Sequence, residues 1–96
     1  MPTREAQLIM QLKNQKTKRI DKNSLEVIVS ELRAVIGDLL SMHQFNRAAD
    51  LLETMLYSWV CDHNQGYEAY NELVDRYNGL IAQRNIRLAR REPAVA

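Results

Sequence analysis

Three successive stretches of this chain carry apolar residues at steps of three and four, and this periodicity limits the possible folds more than any other feature. The first stripe is Leu25, Ile28, Val29, Leu32, Val35, Ile36, Leu39 and Leu40. The second is Phe45, Ala48, Ala49, Leu52, Met55, Leu56, Trp59 and Val60. The third is Tyr67, Tyr70, Leu73, Val74, Tyr77, Leu80 and Ile81. At 3.6 residues per turn each set lies on one face of a helix, whereas a half-buried strand would alternate. The short step from Leu40 to Phe45 makes the first two long helices antiparallel neighbours. The expected fold is all-α: a small antiparallel bundle with a three-helix core over about 23–42, 45–62 and 67–90.

Local signals set the boundaries. With Asp21 as N-cap, Ile20 and Leu25 take the hydrophobic-staple positions; Asn23 and Glu26 form a rival capping-box pair. Gly37 sits inside the first long helix at a cost of about 1 kcal/mol relative to alanine. Asn64-Gln65-Gly66 supplies residues that tolerate a left-handed stop. Both prolines, Pro2 and Pro93, lie near the chain ends, so nothing between them removes a backbone donor. Ahead of this core, Thr3 caps a short accessory helix over 4–14, with Glu5 in its first turn and Leu8, Ile9 and Leu12 on one face. The domain expectation is one helical unit over 1–96: accessory helix, basic linker 15–22, core 23–83 and basic extension 84–96.

Charge is divided unevenly. Residues 1–22 carry six basic and two acidic side chains, residues 23–83 three and nine, and residues 84–96 four and one. The body is acidic and the ends are basic, which concerns partners more than fold. The single cysteine, Cys61, excludes an intrachain disulfide and a multi-thiolate zinc site. The first residues lack a secretory layout, and no apolar run approaches the ~18 residues of a membrane span. The expected location is cytoplasmic.

The chemical candidates are weak. Cys61 and His63 are two apart, so on a helix they point in divergent directions. His43 and His63 fall at opposite ends of the second long helix, too far apart for one metal site. Glu68, Glu72 and Asp75 form an acidic ridge that reads as a solvated face, with Arg76 placed to pair with Glu72. Trp59, Tyr70 and Tyr77 lie on the stripes and Tyr67 at an edge, as core aromatics do. No phosphate loop, nucleophile elbow, zinc-protease motif or calcium loop occurs. The expectation is a non-enzyme with no catalytic residue, cofactor or metal.

The expected function is a protein–protein interaction module of adaptor, chaperone or inhibitor type, acting as a homodimer with an unidentified protein partner and no membrane. Its expected contacts are Leu8, Ile9, Leu12, Tyr57, Arg84, Arg87, Leu88 and Arg91, with apolar groups anchoring and arginines orienting. Arg84, Arg87 and Arg91 would form a ridge on the last helix, whose stripe turns mixed at Arg84 and Leu88. The alternative is a nucleic-acid-binding regulator using Lys13, Lys16, Lys18, Arg19 and Lys22 with Arg84, Arg87, Arg90 and Arg91. In an up-down-up bundle these two basic runs sit at opposite poles of a subunit. The stretch 45–53 loosely resembles the second helix of a tetratricopeptide hairpin, but the preceding helix lacks the expected Trp, Leu, Gly and Tyr positions. No family is assigned from it.

Overall fold

Among the described residues four helices form, in the order the periodicity dictates. The computed structural model describes residues 3–14, 21–81 and 87–93. Helix α1 is Arg4–Asn14 and α2 is Lys22–Ser41. Helix α3 starts as Phe45–Met55, widens into a π-helical turn over Leu56–Val60 and closes with Cys61–His63. Helix α4 is Tyr67–Leu80. No strand occurs among the described residues.

The caps explain the boundaries. Thr3 Oγ1 accepts from Ala6 N–H at 3.1 Å, and Asp21 Oδ1 accepts from Ser24 N–H at 3.1 Å. Asp21 is thus the cap of α2, in preference to Asn23; Ile20 of the staple lies outside the described residues. At the other end of α2, His43 takes the left-handed conformation with φ 57. Its N–H donates to Leu40 O, and Gln44 N–H donates to Leu39 O at 2.8 Å. Those two bonds make a Schellman stop, which satisfies the terminal carbonyls and turns the chain into α3. Asn64 (φ 52) and Gly66 (φ 68) make the second reversal, at the place their residue types suggest.

Helix α3 packs against all three others. Its Ala48, Leu52, Met55, Leu56, Trp59 and Val60 are buried, as the stripe requires. Leu51, off the stripe, is also fully buried. It lies one turn beyond Arg47, whose guanidinium pairs with Glu5 of α1 at 2.6 Å, so it faces the side that α1 covers. The π turn departs from the expected unbroken α-helix over 45–62. A π turn holds more than four residues, and here Leu56, Ser58, Trp59 and Val60 are all buried within five positions. This segment lies against α1 and α4, and Trp59 reaches Gly66 of the second reversal. Trp59 is fully buried against Gly66, and its Nε1–H has no hydrogen-bond partner among the described residues.

The first helix is more than accessory. Leu8 and Leu12, one turn apart, are buried in the same apolar cluster as the other helices, and Ile9 packs against it. Arg4 pairs with Glu31 of α2 at 2.7 Å while Glu5 pairs with Arg47 of α3, so adjacent residues tie α1 to both helices of the hairpin.

Helices α2 and α4 lie side by side. Arg33 pairs with Glu72 at 2.8 Å, and the Arg76 guanidinium lies over Gly37. Glu72 therefore pairs across helices, not with Arg76 on its own helix. Helix α4 ends at Leu80, well short of the expected residue 90. Leu80 is 54% exposed although it continues the stripe, while Ile81 is buried in a non-helical conformation. Gly79 weakens the last turn, and residues 87–93 are not helical.

Two substitutions at glycine separate these effects. A Cβ at Gly66 would sit 3.3 Å from the Trp59 ring at a left-handed φ, so Gly66→Ala is expected to cost about 1–2 kcal/mol in urea unfolding. At Gly37 the nearest atom is 3.4 Å away at the end of the Arg76 side chain, so Gly37→Ala should add about 0.5–1 kcal/mol. The Asp21 carboxyl is held below its ordinary range by the Ser24 hydroxyl and then the Ser24 N–H. A carboxyl lowered on folding stabilises the protein above its unfolded pKa, and this is lost as pH falls through the folded value. The difference in urea midpoint between the wild type and Asp21→Ala should accordingly shrink between neutral and acid pH.

Candidate protein interface

Two surface features arise from this packing. The first is the cleft between the N-terminal halves of α2 and α4. Leu25, Val29, Tyr67 and Ala69 form its floor, and Glu26, Glu68 and Glu72 stand on its rim with Ser30 and Arg33. Its volume is about 730 Å³, and it is open to solvent. Both helices bury their stripes beneath it, so the floor is the edge of the core seen from outside. Glu72 is compensated by Arg33; the rim as a whole is acidic. An open apolar strip with a charged rim accepts a protein segment more readily than an enclosed small ligand.

The second feature is the return of the chain after α4. Residues 87–93 run back along α4, from Asn78 towards Asn71. Asn78 Nδ2 donates to Leu88 O at 2.9 Å, while Leu88 N–H donates to Asn78 Oδ1 at 3.0 Å. Asn71 repeats the arrangement: its Nδ2 donates to Arg91 O at 2.6 Å, and Arg91 N–H donates to its Oδ1 at 2.7 Å. Each amide thus closes a two-bond ring with the peptide groups of one residue. Between them, Arg90 Nη1 pairs with Asp75 Oδ2. Leu88 packs part-buried on the core, and the Arg91 guanidinium reaches Cys61 Sγ at 3.3 Å. Burial pushes the nearby Tyr70 phenol up, and the Arg91 charge partly opposes this.

The expected contact residues divide sharply. Leu8 and Leu12 are buried within the chain itself and present almost no area to a partner, because α1 packs on its own body; Ile9 is half-covered there. Tyr57 is 64% exposed on α3, as its place off the stripe requires. Arg84 lies outside the described residues, as do Lys16, Lys18 and Arg19. Arg87 is exposed, but it, Leu88 and Arg91 belong to the non-helical return, so they do not form a helical ridge. Lys13 and Lys22 are exposed; Lys13 borders a shallow depression with Asp50 and Glu53. Because the chain doubles back, Arg91 comes to the Cys61 end of the molecule. The start of α2 lies at that end too, lining the cleft with Gly66 and Tyr67. Arg91 is therefore not at the far pole, whereas Arg87 lies next to Leu88 towards the Asn78 end.

The remaining candidates have ordinary placements. Trp59, Tyr70 and Tyr77 are core residues. Cys61 is exposed. His43 and His63 sit at opposite ends of α3, and His43 packs edge-on to Phe45 with centroids 5.7 Å apart. No group of three metal-ligating side chains comes together among the described residues, and no helix there is long and apolar enough to cross a membrane.

The periodicity passed over Asn71 and Asn78. Their signal was an amide repeated at seven residues along one border of a stripe, which places both on the same side of α4. Replacing Asn71 by Asp keeps an acceptor for Arg91 N–H but removes the donor and sets a negative oxygen against Arg91 O. Asn71→Asp should speed amide exchange at Leu88 and Arg91 at least tenfold by NMR while leaving α4 helical by circular dichroism. The chain matches no protein-family model, no curated protein and no solved structure.

Proposed function

We propose that this chain is a non-enzymatic protein–protein interaction module that also associates with itself. The observation that carries the reading is the α2–α4 cleft, with its apolar floor of Leu25, Val29, Tyr67 and Ala69 and its rim of Glu26, Glu68 and Glu72. Such a surface suits a basic amphipathic segment, whose apolar side would meet the floor and whose cations would meet the rim. The chain carries basic segments of its own at 13–22 and 84–91, which supports a homodimer. Tyr57, exposed on α3, is a second anchor of the kind that interfaces use.

The described acidic side chains support a binding role in another way. Glu5, Glu31, Glu72 and Asp75 each pair with an arginine, so of the carboxylates on the cleft rim Glu26 and Glu68 are the ones left to meet the cations of a partner. The nucleic-acid reading keeps its basic residues, but Arg90 is engaged by Asp75 and the main cleft carries the wrong sign for phosphate.

Light scattering and salt titration test the proposal together. The expected result is a dimer mass for the wild type and a monomer for Glu26→Lys/Glu68→Lys, with unchanged helicity. A labelled DNA or RNA duplex should bind weakly to both proteins. A wild-type monomer whose duplex binding falls steeply and log-linearly with salt would replace this reading with the nucleic-acid one.

A further inference from the structure

The spacing of Asn71 and Asn78 matches a peptide repeat. Seven residues of helix rise about 10.5 Å, and three residues of polyproline II chain, one full turn that brings the same backbone groups back to the same side, span about 9 Å. Two amides seven apart on a helix therefore meet an extended chain at positions three apart, and here they meet Leu88 and Arg91. All four bonds go to main-chain atoms, so the asparagines recognise an extended backbone without regard to sequence, apart from proline. Side chains add the selectivity: Leu88 settles against the core and Arg90 meets Asp75.

The hold on this segment is light. Its side chains from 87 to 93 are exposed apart from Leu88, which is half-buried. Neutral hydrogen bonds return little net free energy against the ordering of a flexible segment. A competing strand that offers the same groups would gain what the tail loses.

We infer that the Asn71–Asp75–Asn78 track of α4 is a binding site for an extended peptide with an apolar residue followed two places later by arginine, and that residues 88–91 occupy it as a built-in pseudo-ligand. A partner segment of this pattern enters by displacing the tail. The site is separate from the α2–α4 cleft, and its test does not depend on that reading.

The probe is a fluorescein-labelled peptide of residues 87–93, followed by polarisation against full-length protein. In Leu88→Asp/Arg90→Glu protein the tail no longer fits its own track. That variant should bind the peptide at least tenfold more tightly than the wild type does. Adding Asn71→Ala and Asn78→Ala should abolish binding, and a peptide N-methylated at Arg91 should fail on the unaltered track. In wild-type protein, excess unlabelled peptide should speed exchange of the Leu88 and Arg91 amides while the α4 amides stay protected, a readout that stands even if the substituted variants fold poorly. Equal binding to both proteins, binding that survives loss of the two asparagines, or no binding and no change in exchange at millimolar peptide would each overturn the inference.

Discussion

Burial of α3 on more than one side is the constraint from which the rest follows. A helix with a single apolar stripe needs one neighbour, but α3 buries Leu51 as well as Leu52, Met55 and Trp59. That wider apolar surface draws α1 onto the α2–α3 hairpin and gives Leu8 and Leu12 a place in the core. A helix of eleven residues is marginal alone in water; here packing holds it, and the Arg4–Glu31 and Glu5–Arg47 pairs set its direction. Those pairs are substantially exposed at the arginines, so their contribution is orientation more than stability.

The same accounting explains why α4 stops. Continuing the helix past Ile81 would have carried Leu88 beyond the reach of the core. Turning back instead returns Leu88 to the apolar cluster and gives the backbone at 88 and 91 side-chain partners. Asparagine is suited to this because its carboxamide sets an N–H donor and a carbonyl acceptor side by side in one plane, which meet the C=O and N–H of a single residue together. The cost is that a buried amide at Asn71 depends on the tail to satisfy it.

Most of the framework was legible in the residues. The stripe of α2 is buried along its length, with Leu25 half-covered at the start, because its period and helix length agree. The Asp21 cap and the left-handed turn at Asn64 and Gly66 followed from residue types with strong local preferences. What could not be read was decided by contacts distant in sequence. Leu51 was left off a stripe because a single-face pattern takes no account of a second neighbour. The π turn answers to packing around Trp59, and periodicity carries no sign of it. The reversal after α4 was hidden because Arg84, Arg87, Leu88 and Arg91 also fit helical spacing, and local pattern does not weigh a helix against side-chain amides waiting a turn away. Of the α2–α4 cleft, the acidic rim is visible as a ridge on α4 at Glu68 and Glu72, but its facing wall on α2 required the structure.

Trp59 is the chain's one tryptophan, and its indole rests on Gly66, fully buried at the joint between α3 and α4. With its ring shielded from bulk solvent, the excited-state dipole finds little mobile water around it that can reorient. Native emission should therefore lie well to the blue of an unfolded chain. The fold thus carries an intrinsic optical gauge of whether that joint is closed.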